Sequence, residues 1–138
     1  MHRLEHVNLN VGDAARVTPF LLAAFPGFRV RGGGHDRDGR PWCHVGDDDS
    51  YFALTSVGRG PARAADDATP GLNHVGIEVD DIEALHDRLV AAGFVPYSRI
   101  DIHPARRRLY CLDADGNDWE FVEYRTADRS ARNDYRDA

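Results

Sequence analysis

Arg3-Leu4-Glu5-His6-Val7-Asn8-Leu9-Asn10-Val11-Gly12-Asp13 lies without a gap over Gly71-Leu72-Asn73-His74-Val75-Gly76-Ile77-Glu78-Val79-Asp80-Asp81. Leu, His, Val, Val and Asp coincide, and Leu9 stands over Ile77. An internal repeat constrains the fold more than any single element, because each copy reads as one supersecondary unit. Both copies run into helical patterns, Ala14 to Phe25 and Ile82 to Ala92. Each pattern stops at a glycine followed by phenylalanine, in Pro26-Gly27-Phe28 and in Gly93-Phe94. Asp13, and Asp80 or Asp81, are the N-cap candidates, since a short side-chain oxygen can accept from the free amides of a first turn.

Strand-like stretches follow each helix. In the first half they are about Arg29–Gly33, Arg40–Gly46 and Ser50–Val57. In the second they are about Val95–Ile102, Arg107–Asp113 and Asp118–Tyr124. Asp38-Gly39, Gly46-Asp47-Asp48-Asp49 and Asp113-Ala114-Asp115-Gly116-Asn117 punctuate them as turns. The order is βαβββ twice. Module one covers about 3–57 and module two about 72–124, within one domain of 138 residues. A Gly-, Ala-, Pro- and Asp-rich link at 58–71 joins them, and a polar tail runs over 125–138. The tail reads as a frayed end or as an arm laid on a partner subunit.

Composition narrows the function. Apolar residues at 42% and charged residues at 29% are those of a globular chain. A net charge of −6 argues against broad phosphate neutralisation of a nucleic acid. No apolar run is long enough to cross a bilayer, and the first residues lack a signal-peptide core, so a cytoplasmic protein is expected. Cys43 and Cys111 form neither a disulfide framework nor a CxxC motif.

Alternation assigns the strand faces. Val7, Leu9 and Val11 face the helix, which leaves His6, Asn8 and Asn10 on the other side. Val75, Ile77 and Val79 repeat this, leaving His74, Gly76 and Glu78. Trp119 and Phe121 read as core, with Asp118, Glu120, Val122 and Tyr124 opposite. Phe52 and Leu54 read as core, with Tyr51, Ala53 and Thr55 opposite. If the repeats pack side by side, His6, His74 and Glu120 converge. Two imidazoles and one carboxylate match the facial triad of non-haem Fe(II) oxygenases, and suit Zn, Ni or Mn with solvent in the open positions.

The sequence resembles the vicinal oxygen chelate superfamily, which includes glyoxalase I, extradiol dioxygenases, fosfomycin-resistance enzymes and bleomycin-resistance proteins. Leu4-Glu5-His6-Val7, Leu72-Asn73-His74-Val75-Gly76 and Asp113-Ala114-Asp115-Gly116-Asn117-Asp118-Trp119-Glu120 carry the resemblance. The resemblance implies an α+β fold, with paired βαβββ modules forming a cup-shaped mixed sheet and helices outside. It implies a homodimer, and metal held by His6, His74 and Glu120. Glyoxalase I has a further glutamate in the fourth strand of the first module. That place falls on Ala53 here, and a methyl group cannot ligate. The remaining set resembles extradiol dioxygenases and fosfomycin-resistance transferases.

A dioxygenase using Fe(II) and O₂ on an aromatic or polycyclic small molecule is therefore expected. The alternatives are a glyoxalase-like lyase, isomerase or thiol transferase, and a non-catalytic antibiotic-binding protein. Tyr110 resembles the extradiol tyrosine near the metal-bound substrate oxygen. His44 and His103 are acid–base candidates by residue type. Trp42 and Tyr51 are candidate wall residues for an aromatic ligand. Arg106 and Arg108 share a face with Tyr110 and would suit a substrate carboxylate, enolate or phosphonate. Arg107 reads as an exposed strand end.

Overall fold

The computed structural model describes residues 2–60 and 70–135. They fall into two compact units, one reaching to Gly60 and including Ala114–Gly116, the other made of Pro70–Asp113 and Asn117–Tyr135. Most of the expected link, residues 61–69, lies outside the described residues.

The first unit contains β1 (His6–Val11), α1 (Ala14–Ala24), β2 (Arg29–His35), β3 (Pro41–Gly46) and β4 (Tyr51–Ser56). Its sheet order is β1-β4-β3-β2, with β1 and β4 parallel and the other pairs antiparallel. Asp13 caps α1 by accepting from the Ala15 amide at 2.9 Å, as the sequence predicts. Ala14, Val17, Phe20, Leu21 and Ala24 recur at helical spacing and are buried. They pack on the side of the sheet that carries Leu9, Val11, Val45, Phe52 and Leu54. A fully buried Leu, Val or Phe contributes about 1.5–3 kcal/mol over an exposed one, so this apolar layer supplies most of the drive to fold the unit. A Cβ on Gly46 would collide with the Ser50 carbonyl oxygen, so only glycine fits where β3 turns into β4.

The second unit repeats the plan with β5 (His74–Glu78), α2 (Ile82–Ala91), β6 (Asp101–Ile102), β7 (Arg106–Leu112) and β8 (Asp118–Tyr124). The order is β5-β8-β7-β6, with β5 and β8 parallel. Asp81, rather than Asp80, caps α2, accepting from the Glu83 and Ala84 amides. Gly93 follows the helix at φ +88°, a left-handed conformation that ends it without Cβ strain. Ile82, Leu85, Leu89, Leu109, Trp119 and Phe121 are fully buried. The expected α+β class and the outward face of each repeat strand are as read from the sequence.

Two expectations differ. The strand expected over Val95–Ile102 shrinks to Asp101–Ile102. Pro96 has no amide to donate; the Tyr97 amide reaches the Tyr110 carbonyl at 3.2 Å, but the Tyr110 amide goes to the Ser98 hydroxyl at 2.9 Å, so the backbone ladder does not continue there. The polar tail forms a one-turn helix, α3 (Arg129–Arg132), tied back onto its own unit, where Arg132 meets Glu78 at 3.0 Å. Among the described residues no helix is long and apolar enough to cross a membrane.

Candidate functional site

Strand register places the repeat residues opposite each other. In the first unit His6 is level with Tyr51, and Asn8 with Ala53. In the second His74 is level with Asp118, and Gly76 with Glu120. Ala53 therefore holds the position in β4 that Glu120 holds in β8. The neighbouring strands extend the match: His44 is opposite Ala53, and Tyr110 is opposite Glu120.

The two repeat histidines are held the same way. Glu5 Oε2 lies 2.7 Å from His6 Nδ1, and Asn73 Oδ1 lies 2.7 Å from His74 Nδ1. Both oxygens are acceptors, which assigns a proton to Nδ1 of each ring. A hydrogen bond on the other ring nitrogen is how a metal-binding imidazole is oriented. Glu5 and Asn73 occupy matching repeat positions beside the histidines, a signal that alignment alone contained.

In the second unit His74 Nε2 points at Glu120 Oε2 across 3.1 Å. Tyr110 donates its hydroxyl to Glu120 Oε1 at 2.7 Å. Burial, then the hydrogen bond to Glu120, pushes the Tyr110 phenol up to about 12. Tyr110 is thus a proton-bearing donor at neutral pH. Asp118, on the same face and 8% exposed, accepts from the Tyr97 hydroxyl at 2.8 Å through Oδ2. Its Oδ1 is buried without a hydrogen-bond partner. Alternation puts Asp118 on this face, but only the folded chain brings Tyr97 to it.

In the first unit the corresponding face is a row of rings. Trp42 and His44 lie 4.8 Å apart between centroids, His44 and Tyr51 4.5 Å, and Tyr51 and His6 4.9 Å. The Arg31 guanidinium sits 4.5 Å over the Tyr51 ring. Burial, then the charges of Arg31 and His6, lowers the His44 imidazole below its usual range. Sequence reading missed Arg31 because the β2–β3 register shifts between Val30 and Gly32, which defeats simple alternation.

The remaining candidates have other occupations. His103 Nδ1 accepts from the Ala105 amide at 3.1 Å inside the β6–β7 turn. Arg108 directs both Nε and Nη2 at Asp101 Oδ2, at 3.1 and 2.6 Å. Arg106 is 5% exposed and donates to the Asp134 carbonyl at 3.1 Å. Arg107 is not an exposed strand end: it bridges Glu83 at 3.0 Å and Glu123 at 2.6 Å.

Among the described residues no three His, Cys, Asp or Glu side chains form a group that could hold a metal ion. The His74–Glu120 pair does fit one in its donor chemistry. Two lone-pair atoms facing each other at 3.1 Å repel unless a proton or a cation lies between them. Gly76 keeps the space beside the carboxylate open, since even a Cβ there would come only to 3.6 Å from Glu120 Oε2.

The family model described as the Glyoxalase/Bleomycin resistance protein/Dioxygenase superfamily matches residues 3–121. None of the curated proteins matches the chain. Among solved structures, a glyoxylase/bleomycin resistance protein/dioxygenase domain from Frankia sp. EAN1pec is 22% identical, with TM-score 0.75, over 91% of this chain and 99% of that one. Glyoxalase I of Leishmania major is 19% identical, with TM-score 0.67, over 89% and 87%. TnmS3, an antibiotic binding protein from Streptomyces sp. CB03234, is 19% identical, with TM-score 0.64, over 90% and 97%. Identities this low show a shared fold alone. With most of its length matched by the family model, the chain belongs to the glyoxalase/bleomycin resistance protein/dioxygenase superfamily.

Proposed function

We propose that this chain is a metal-dependent enzyme of the dioxygenase kind, acting with Fe(II) and O₂ on an aromatic or polycyclic molecule held through vicinal oxygens. The carrying observation is the His74–Glu120 pair, with Nδ1 of the imidazole fixed by Asn73 and Nε2 turned to the carboxylate. His6 is the third ligand in this reading, supported by its matching repeat position and its matching Glu5 contact. Ala53 at the fourth position argues against the glyoxalase I set. Two imidazoles and one carboxylate favour Fe(II), and accept Zn, Ni or Mn.

Bound metal would supply Lewis acidity and a template for the substrate oxygens. The chain's own residues do the rest. Asn73 and Glu5 orient the imidazoles. Tyr110 keeps its proton on Oη and holds Glu120 by donating to it. His44, lowered in pKa, is neutral at pH 7 and has a ring nitrogen able to accept a substrate proton. Trp42 and Tyr51 offer ring faces to a flat substrate. The protein would act as a homodimer.

Anaerobic purification with elemental analysis, then Fe(II) reconstitution and oxygen-uptake assays on a catechol and hydroxyquinone panel, tests the reading. The expected result is O₂ consumption matched to substrate loss. Turnover with Zn or Ni under nitrogen would instead assign a lyase, isomerase or transferase.

The ring row of the first unit favours a second reading, a protein that sequesters a flat antibiotic without catalysis. The fold likeness to an antibiotic binding protein is compatible with it. His6→Ala separates the two: it abolishes turnover in an enzyme and leaves stoichiometric binding largely intact in a sequestering protein.

A further inference from the structure

Arg106, Arg107 and Arg108 are consecutive, but their charges are met differently. Arg107 has Glu83 and Glu123, and Arg108 has Asp101. Arg106 is the most buried of the three, at 5% exposure, and makes no ion pair with a carboxylate among the described residues. A guanidinium withdrawn from water needs an acceptor, and an anion satisfies it best. Over Arg106 lie the Asp134 carbonyl at 3.1 Å and the Tyr135 ring, 5.8 Å from its Cζ.

That cover is weakly held. The α3 turn buries no residue, and Tyr135 is 70% exposed. Arg132 ties it to Glu78 at 3.0 Å, to the Thr126 carbonyl at 3.0 Å and to the Tyr124 ring at 4.2 Å. Half-exposed contacts of this kind hold a segment weakly. Strand register sets Arg106 among the residues of the candidate ligand face. Arg106 is level with Tyr124, Glu78 and Arg108 with Val122, and Tyr110 with Glu120.

We propose that Arg106 is a carboxylate- or enolate-binding subsite, and that Asp134 and Tyr135 are its resident cover, displaced when an anionic ligand binds. The planar guanidinium then exchanges one carbonyl for a charged, bidentate partner. The inference rests on the reading of this face as the ligand face, and adds that the ligand carries an anionic group. It needs no metal, so its failure and that of the dioxygenase reading are distinguishable.

The probe is benzoate, titrated by NMR into the metal-free full-length chain. The double variant Arg132→Ala/Tyr135→Ala loosens the cover and should tighten benzoate binding about five- to tenfold. Arg106→Met in that background should weaken binding at least about tenfold. Benzoate should also speed amide exchange across residues 129–135. If Arg106→Met fails to fold, Arg106→Lys replaces it and should still weaken binding, because an ammonium lacks the planar fork. Unchanged or weaker binding in the loosened variant would overturn the displacement. Indifference to the Arg106 substitution would overturn the subsite.

Discussion

His74 Nε2 stands 3.1 Å from Glu120 Oε2, while Asn73 holds the other ring nitrogen at 2.7 Å. The imidazole is therefore oriented from one side and faces a carboxylate on the other. Tyr110 completes the arrangement by bonding the second oxygen of that carboxylate at 2.7 Å.

Removing that phenol tests the arrangement. Tyr110→Phe frees Glu120 to rotate while keeping the ring in place. Under the proposed metal-dependent reading, metal affinity should fall about 10–100-fold, as when a group that holds a ligand in place is lost. Chelator competition on the reconstituted protein measures this, and an unchanged melting temperature separates it from misfolding.

Asp113 organises the β7–β8 turn from a buried position. Its oxygens accept from the Asn117 amide at 3.0 Å, the Asn117 side chain at 2.9 Å and the Trp119 indole at 3.2 Å. Asp113→Ala leaves several buried donors unmet, at about 1–3 kcal/mol each when unrelieved, so a total near 3 kcal/mol is expected. Urea unfolding would show it as a lower midpoint with an unchanged slope.

The two cysteines should differ in reactivity. Cys111 is fully buried, and burial pushes its thiol up to about 11, so almost no thiolate exists at pH 8. Cys43 is only half-buried. Ellman's reagent should titrate one thiol in the native protein and two in denaturant. Cys43→Ser should remove the native signal.

Acid should destabilise the second unit through two ion pairs. The Arg108 hydrogen bond holds Asp101 below the usual carboxylate range. Burial pushes Glu123 up, but Arg107 and the Ile82 amide outweigh it and leave it lowered. Both carboxyls bind protons more weakly folded than unfolded. Their contribution is present above the unfolded value, about 4, and is lost as pH falls through the folded one. In Asp101→Asn/Glu123→Gln, thermal stability should fall less steeply between about pH 5 and pH 3.

Much of the candidate site was legible in the chain because β-strands alternate. His6, His74 and Glu120 could be put on the polar faces of their strands from the positions of Val7, Leu9, Trp119 and Phe121 alone. The place of Ala53 followed from the same pattern, and strand register repeats it. Alternation fails where the ladder is irregular. The bulge at Val30/Gly32 hid Arg31, and Pro96 with Ser98 broke the strand expected over Val95–Ile102.

By itself the sequence determined the repeat, the cap of the first helix and the face each candidate ligand takes, because these depend on neighbours a few residues away. Tertiary structure decided which charge meets which. Arg108 found Asp101, Arg107 found Glu83 and Glu123, and Arg106 found the Asp134 carbonyl. A run of three arginines carries no information about partners that register and chain return bring from 16 or 28 residues away.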